Sequence, residues 1–321
     1  MHHILYHSNC ADGFASAVIA HHALTKKHVS TNEIQLQPVN YGDKNEQLPK
    51  NINTGDHIYY VDYTPPQGAL DTLQRYAGVI ALTIIDHHST AAIRHLRDKD
   101  TGEFLDAQRP FFESVFSLTE SGAKLTWNHF FHEEPGPFKT PLAISLIEWR
   151  DLGKAFQQKQ DSLSTPAIHL HAALMRYVPR THEAWLPMLL ERGMIEDCPQ
   201  LTLILRKGAM LCKADKTVIE AAADNPLWLT FPDIGQSIPA LNGLGSELMS
   251  SALDEVLFTW PQAPFAASWY VCSKTGLFVY SLRSRKGGPN VAEIAAAMAP
   301  GGGGHPCAAG FSTPIPIPFA E

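Results

Sequence analysis

Short apolar runs alternate with segments of helical periodicity along the first third of the chain. Three runs that end in polar residues predict strands: HHILYH (2–7), HIYYVDY (57–63) and VIALTIIDHH (79–88). Two segments with helical patterns lie between them, FASAVIAHHALTKK (14–27) and GALDTLQRYAG (68–78). Because strands that alternate with helices usually pair in parallel through crossover connections, this pattern predicts a parallel α/β sheet.

The rest of the chain predicts helices first and strands later. The predicted elements are a loop entering a helix at 117–131, an amphipathic helix at 143–156, a helical pattern over 155–230, strands at 267–273 and 277–284, and a helix at 290–300. A chain of 321 residues is too long for one typical core. We therefore expect an N-terminal parallel-sheet domain over 1–230 and a smaller C-terminal α/β domain over 231–321.

The composition of the chain limits which partners the protein can bind and indicates its cellular compartment. The chain is 45% hydrophobic and 18% charged with a formal net charge of -7, which disfavours a long duplex but leaves a short nucleotide open. No run approaches the roughly 20 apolar residues of a membrane span, and the N-terminus lacks a signal-peptide pattern. The five cysteines are scattered without a CxxC spacing. We expect a cytoplasmic protein that does not bind membranes.

Polar residues with metal-binding side chains follow all three N-terminal strands. They are His7, Cys10 and Asp12 after the first strand, Asp62 near the end of the second, and Asp86, His87 and His88 at the end of the third. Parallel strands bring their carboxyl ends to one edge of the sheet, where ligands bind. One acid at a strand end can be a simple helix cap, but crowded carboxylates repel each other unless a cation holds them. Mixed His and Asp ligands suit Mn²⁺, Fe²⁺ or Zn²⁺, and the oxygen-rich balance favours Mn²⁺.

Two further segments have the residue types that bind anions. Ser121 and Gly122 precede a predicted helix and can offer a hydroxyl and an amide to an anion, although these residues alone favour a plain capping role. The glycine run at 301–304, which includes Gly303 and Gly304, is followed by His305. Glycine amides approach phosphate closely, and Arg283 and Arg285 upstream supply guanidinium groups that bind phosphate in bidentate fashion.

Together these segments resemble the DHH phosphoesterases that carry a C-terminal DHH-associated domain, a family of oligoribonucleases and nucleotide phosphodiesterases. The matching residues run in family order: HSNCADG (7–13), VDYTPP (61–66), IIDHHST (84–90), the Asp of IEWRD (147–151), SLRSRKG (281–287) and GGGGHPCAAGF (301–311). The resemblance implies a catalytic α/β domain, a substrate-binding domain and a cleft between them. It also implies phosphoester hydrolysis that depends on Mn²⁺ or another divalent metal, with two ions.

The resemblance assigns roles to individual residues. Asp12, Asp62, His87 and Asp151 would form one metal site with Asp62 bridging, and His7 would serve the other. Asp62 and His88 would be catalytic, with His88 contacting phosphate or shaping the metal ligands. Apart from the resemblance, the residue types of the two anion-binding segments predict that substrate is bound by Arg283, Gly303, Gly304, His305 and Ser121. The chain departs from the family at Cys10, where the family has an acid; the His7 site would then be weaker, select a softer metal or be completed by substrate.

The function that these residues predict is hydrolysis of short single-stranded oligonucleotides or linear dinucleotides to mononucleotides. Two cations would clamp the scissile phosphate and activate a water that attacks phosphorus in line. The alternatives are a phosphatase of bisphosphorylated nucleotides or polyphosphate, and a nucleotide-binding protein without catalysis. Monomer and homodimer are both left open.

Overall fold

The computed structural model describes residues 1–40, 47–103, 110–132, 140–158, 160–231 and 235–320, apart from the side chains of 246 and 247. The chain divides into two compact units, Met1–Gly208 and Ala209–Glu321. The sequence places this boundary at 230/231, and that boundary stays a prediction. The predicted fold class is confirmed: the structure is mixed α/β with a five-stranded parallel sheet and a second sheet.

The first unit is built on five strands that all run in parallel, in the order β2-β1-β3-β4-β5. The strands are β1 His2–His7, β2 Ile34–Val39, β3 His57–Val61, β4 Ala81–Asp86 and β5 Glu113–Phe116. The helices are α1 Ala11–Lys26, α2 Gln67–Gln74, α3 Gly122–Phe131, α4 Leu142–Asp151, α5 Lys154–Gln157, α6 Ser164–Arg176, α7 His182–Leu190 and α8 Pro199–Asp224, which continues into the second unit. Short 3-10 helices lie at Thr31–Glu33, Ser89–His95 and Ile195–Asp197.

Both faces of this sheet are buried, which explains why its central strands are almost continuously apolar. Successive residues of β1 point to opposite faces: Ile4 packs with α1 and α3, and Leu5 packs with α2. A third core joins the outer side of α1 to α4, α6 and α7, where Phe14 meets the buried Trp185 edge to face at 4.9 Å between ring centroids. These cores hold the carboxyl ends of the strands in fixed positions.

The second unit contains a six-stranded mixed sheet in the order β10-β11-β9-β8-β7-β6. Its strands are β6 Leu227–Thr230, β7 Ser237–Asn242, β8 Phe265–Val271, β9 Phe278–Ser284, β10 Gly303–His305 and β11 Ala308–Thr313, and its helices are α9 Ser246–Thr259 and α10 Val291–Met298. Only β7 and β8 pair in parallel among the described strands of this sheet. Helix α10 covers the face that includes Tyr280 and Phe311, and α9 covers the opposite face around Ala266.

Several predicted elements differ from the structure at their ends. The predicted helix at 143–156 is broken after Asp151, because Gly153 adopts a left-handed φ of 71°. The helical pattern over 155–230 ends at Asp224, and a strand, β6, occupies its last residues. No helix in the described parts of the chain combines the length and apolar character needed to cross a membrane.

Candidate metal centre

The strand-end residues meet at one edge of the parallel sheet, as predicted. His7 is the last residue of β1, Asp62 follows β3 directly, and His87 follows the last residue of β4. Strands β1 and β3 are neighbours in the sheet, and β4 lies beside β3. The chain leaves β1 toward β2 on one side and resumes with β3 on the other, which is the position where ligands bind in open α/β sheets.

Asp12 is fixed by the start of α3. Its carboxylate accepts hydrogen bonds from the Ser121 hydroxyl at 2.7 Å and from the amides of Gly122 and Ala123 at 2.6 and 3.0 Å. A helix N-terminus favours a negative charge, and the negative group bound at the start of α3 is the Asp12 carboxylate. Ser121 is fully buried and also accepts from the Lys124 amide, which places it as a support of Asp12. Its contact with substrate stays a prediction.

Three carboxylates converge on one imidazole nitrogen. His87 Nε2 lies 3.1 Å from Asp62 Oδ1, 3.4 Å from Asp151 Oδ2 and 3.7 Å from Asp12 Oδ2. Asp151 is the last residue of α4, where the helix dipole disfavours a negative charge. Its side chain is only 22% exposed and points toward His87.

Asp62 lies between two groups of possible ligands. Its Oδ1 faces His87, while its Oδ2 lies 3.6 Å from His7 Nδ1. Asp62 is 1% exposed, and each of its oxygens faces an imidazole, but neither has a hydrogen bond of regular geometry among the described residues. Its backbone has a left-handed φ of 55°, which is uncommon for a residue other than glycine and typical of functional sites.

The backbone of α3 approaches Asp62 so closely that a side chain at position 122 has no room. A Cβ atom on Gly122 would lie 2.6 Å from the Asp62 Cβ and 2.9 Å from its Cα. The glycine after Asp12 is equally confined, because a Cβ on Gly13 would lie 2.2 Å from the His7 carbonyl oxygen. Both glycines therefore let ligand-bearing segments pack together.

The charges of this centre strongly perturb one another. Burial raises the pKa of Asp12, and the nearby Asp62 and Asp151 carboxylates raise it further. Burial likewise raises the pKa of Asp151. Burial would lower the pKa of His87, but Asp62 beside its Nε2, together with Asp151 and Asp12, raises it to about 10. Burial opposes ionisation of Asp62 as well, yet the neighbouring His7 and His87 hold the pKa of Asp62 well below its usual range.

The residues present fit a divalent cation. Crowded carboxylates, acceptor oxygens without donors and an acid at a helix C-terminus are each unfavourable for the protein alone. A cation at this position would offset all three effects. Two groups of possible ligands lie here, each with atoms within 4.8 Å of one another: His7 with Cys10 and Asp62, and Asp12 with His87 and Asp151.

Asp86, the acid of IIDHHST, has a different surrounding. Its Oδ1 accepts from the His87 amide at 2.7 Å, the His88 amide at 3.3 Å and His88 Nδ1 at 2.7 Å. Its Oδ2 accepts from the Thr64 hydroxyl at 2.5 Å. Although Asp86 also lies within 4.8 Å of ligand atoms of Asp62 and His88, its carboxylate is already occupied by protein donors. It therefore orients the His88 ring, so that Nδ1 points to Asp86 and Nε2 away from it.

A buried hydrogen-bond chain continues from Asp86 to β5. Since the Thr64 hydroxyl donates to Asp86, it accepts from His95 Nε2 at 2.8 Å, and His95 Nδ1 accepts from the Ser114 hydroxyl at 2.8 Å. Burial lowers the pKa of His95 to about 4, so the ring is neutral near pH 7. A neutral imidazole has a single N–H proton, and this series of hydrogen bonds requires that proton to be on Nε2. Sequence reasoning missed Thr64, His95 and Ser114.

In the second unit, Arg283 and His305 lie in one row across the sheet. His305 pairs with Ala308 on β11, and Ala308 pairs with Arg283 on β9. Directly paired residues of neighbouring strands project from the same face, so both side chains flank the small Ala308. Arg283 donates to the Ser250 hydroxyl at 2.6 Å and lies 4.0 Å from Asp254, both on α9.

Part of the glycine run belongs to the second sheet, and its binding of substrate stays a prediction. Gly303 and Gly304 belong to β10 and pair with β11. A Cβ on Gly302 would lie 2.0 Å from the Ala295 carbonyl oxygen, so this glycine lets β10 pack closely on α10. Arg285 is also used inside the unit, because its guanidinium donates to backbone carbonyls at the end of α9 and just beyond it: those of Leu257, Trp260 and Ala263.

Comparison with known proteins places the fold. No protein-family model matches the sequence, and no curated protein matches it. The structure is similar to RecJ from Thermus thermophilus in complex with Mn²⁺, with 15% identity and a TM-score of 0.50 over 97% of this chain and 49% of RecJ. The chain therefore spans about half the length of RecJ. This likeness shows a shared fold.

Two other solved structures align along most of both chains. The pGpG-specific phosphodiesterase PggH from Vibrio cholerae is 14% identical, with a TM-score of 0.45 over 98% of this chain and 94% of PggH. An uncharacterized protein from Helicobacter pylori G27 is also 14% identical, with a TM-score of 0.35 over 100% of this chain and 95% of that chain.

Proposed function

We propose that this chain is a DHH-type phosphodiesterase that uses divalent cations, Mn²⁺ foremost, to hydrolyse short single-stranded oligonucleotides or linear dinucleotides to mononucleotides. The observation that carries the proposal is the pair of ligand groups that meet at Asp62. Two adjacent cations bridged by a carboxylate are the usual apparatus for phosphoester hydrolysis. The fold shared with RecJ and the motif resemblance support the same reaction class.

Each residue of the centre has a defined task in this proposal. Asp62 offers one oxygen to each ligand group, and Asp12 is presented by the amides that start α3. His88, whose Nδ1 donates to Asp86, directs Nε2 toward a non-bridging oxygen of the phosphate. When bound, the cations supply Lewis-acid stabilisation of phosphate charge and activation of the attacking water. The protein residues then hold the phosphate in line and orient its oxygens.

The second unit supplies a site for a distal phosphate in this proposal. Arg283 and His305 project from the same face of its sheet, with Ala308 between them. An arginine fork and an imidazole can bind one phosphate group together. The net charge of -7 supports a short substrate, since extended nucleic acid would meet an acidic surface.

The decisive experiment compares three substrates with and without metal. The full chain is assayed with Mn²⁺, or with EDTA, on a linear dinucleotide, a 20-mer and a bisphosphorylated nucleotide. Asp62→Asn is the test variant and Asp71→Asn, an exposed acid on α2, is its matched control. We expect Mn²⁺-dependent cleavage of the dinucleotide, lost by at least about 10²-fold in kcat/KM in Asp62→Asn, comparable to other single catalytic groups. Full activity of Asp62→Asn, or release of phosphate from the bisphosphorylated nucleotide alone, would overturn the proposal.

The role of the second unit has its own test. Arg283→Ala should lower kcat/KM for the oligonucleotide by about 10²-fold, or roughly 2.7 kcal/mol of transition-state stabilisation. Lys286→Ala, a neighbouring exposed cation, is the matched control. Mn²⁺ binding measured by calorimetry should not change. Equal losses on the oligonucleotide and on bis-p-nitrophenyl phosphate would show that Arg283 supports the fold and not the substrate.

A further inference from the structure

One of the two ligand groups contains sulfur and the other does not. The first consists of His7, Cys10 and Asp62, whose ligand atoms lie within 4.8 Å of one another. The second consists of Asp12, His87 and Asp151, which offer only oxygen and nitrogen. The two positions of the centre therefore differ in chemical softness, the property that decides which divalent cation a site prefers.

The Cys10 sulfur is held inside a tight strand-to-helix turn. Cys10 immediately precedes α1, yet its side chain makes no capping hydrogen bond to that helix. The turn begins at His7 and closes at Gly13, where a Cβ would lie 2.2 Å from the His7 carbonyl oxygen. Within the turn, Asn9 adopts a left-handed φ of 56°. Close packing at both ends thus restricts the position of the thiol beside His7.

Asp62 provides an independent sign of a ligand at this position. Its carboxylate is 1% exposed, and its Oδ2, which faces His7, has no hydrogen-bond partner in the described parts of the chain. A buried carboxylate oxygen without a donor is costly unless a cation binds it. Imidazole nitrogen, thiolate sulfur and carboxylate oxygen are the three ligand types of zinc sites, and three protein ligands leave a fourth tetrahedral position open.

We propose that the His7–Cys10–Asp62 group is a thiolate site that binds Zn²⁺ or Co²⁺ in preference to Mn²⁺, so that the centre holds two different cations. The inference rests on the proposed function and concerns which cation each position takes. As the sulfur–metal bond forms, the Cys10 thiol releases its proton to solvent, and no group is oxidised or reduced. The oxygen-rich Asp12–His87–Asp151 group keeps the preference for Mn²⁺.

Cobalt spectroscopy tests the assignment without an activity assay. Metal-stripped full-length protein is titrated with Co²⁺ alone and after addition of one equivalent of Mn²⁺, and the near-ultraviolet thiolate-to-cobalt charge-transfer band is recorded. Cys10→Ser is the test variant, and Cys272→Ser, a thiol in the second unit, is the matched control. We expect the band in the wild type and in Cys272→Ser, and its loss in Cys10→Ser.

Affinity and thiol protection provide readouts that do not depend on the spectrum. Cys10→Ser should weaken Zn²⁺ binding more than Mn²⁺ binding. Loss of a residue that only supports a metal ligand typically weakens binding by roughly tenfold, so loss of the ligand itself should weaken Zn²⁺ binding by at least that factor. In the wild type, Zn²⁺ should protect Cys10 from iodoacetamide, measured by peptide mass spectrometry. This last measurement needs no variant, so it decides the question even where Cys10→Ser fails to fold.

The outcomes separate this inference from the proposed function. A band of equal intensity in Cys10→Ser, or alkylation of Cys10 that Zn²⁺ does not slow, would overturn the thiolate site. Oligonucleotide cleavage without the band would leave the phosphodiesterase proposal intact and reject only the sulfur ligand. A Cys10-dependent band without any cleavage would support the sulfur ligand and reject the phosphodiesterase proposal.

Discussion

Among single residues, Asp86 shows how an acid in a metal-binding sequence can serve another side chain. Its carboxylate accepts bonds from the His88 ring, two backbone amides and Thr64. Replacing one donor should disturb the orientation of His88 without removing any proposed metal ligand. Partners of this indirect kind are often worth as much as tenfold to a hundredfold in activity.

Thr64→Val removes the hydroxyl and keeps the shape of the side chain. We expect kcat toward the dinucleotide to fall by about tenfold at saturating Mn²⁺, because Asp86 loses a charge-assisted bond that holds it against His88. Thr64→Ser restores the donor and should keep kcat near the wild-type value. If both variants lose activity in proportion to their melting temperatures, Thr64 acts through stability alone.

His95 makes the stability of the metal-free protein depend on pH. Burial lowers its folded-state pKa to about 4 from the ordinary 6.5, so between these values the unfolded chain binds a proton that the folded chain does not. The contribution of neutral His95 to the free energy of unfolding is fully present above pH 6.5 and is lost as the pH falls toward 4. This loss amounts to roughly 3 kcal/mol. Urea unfolding at several pH values should show a shallower loss in His95→Gln; identical pH profiles would contradict this role.

The sequence could predict strand-end ligands but not the residues that support them. His7, Asp62 and His87 end apolar runs, so their meeting follows from parallel pairing. Thr64 and His95 lie 31 residues apart and belong to no periodic pattern, and their contact appears only once the segments pack. The same holds for Ser121, whose partner Asp12 is 109 residues away.

At the scale of elements, the start of α3 positions both Asp12 and Asp62. Its amides bind Asp12, and its first residue, Gly122, touches the Asp62 backbone. A helix that begins here therefore sets the separation of two proposed ligands. The packing of α3 against the end of β3 is therefore sensitive to any added atom.

Gly122→Ala should separate α3 from β3. We expect a loss of about 1–3 kcal/mol in the free energy of unfolding, typical of forcing a methyl group into a packed contact, together with weaker Mn²⁺ binding. Gly68→Ala in the first turn of α2 meets nothing within 4 Å and is the matched control. That change should be neutral or stabilising by up to about 1 kcal/mol. Wild-type Mn²⁺ affinity in Gly122→Ala would show that the contact is not needed.

Several of the elements that the sequence did not predict are short or lie at sheet edges. Edge strand β2 contains Pro38 and two glutamines between its apolar residues, so it lacks the continuous apolar run of a central strand. Strand β5 has four residues at the opposite edge. Strand β10 includes two glycines, a residue type that disfavours strands unless close packing requires it.

At the scale of the whole molecule, cation binding should be linked to stability. The folded state gathers carboxylates that the unfolded chain keeps apart, so a cation binds the folded state preferentially. At a Mn²⁺ concentration of 100 times Kd, the free energy of unfolding should rise by about 2.7 kcal/mol. Thermal denaturation with Mn²⁺ and with EDTA measures this, and Asp62→Asn should lose most of the shift. An unchanged Tm in the wild type would argue against a cation at the centre.

The hydrogen bond from the Gly122 amide to Asp12 also determines how early during synthesis and folding a cation can bind. These residues are 110 positions apart, and Asp151 enters still later. Closing so long a loop is entropically costly and follows local structure formation. On the ribosome, the Asp12–His87–Asp151 group cannot assemble until α4 has been synthesised and packed. Binding of a cation to this group therefore follows the packing of β1 through α4 and does not guide the earlier folding steps.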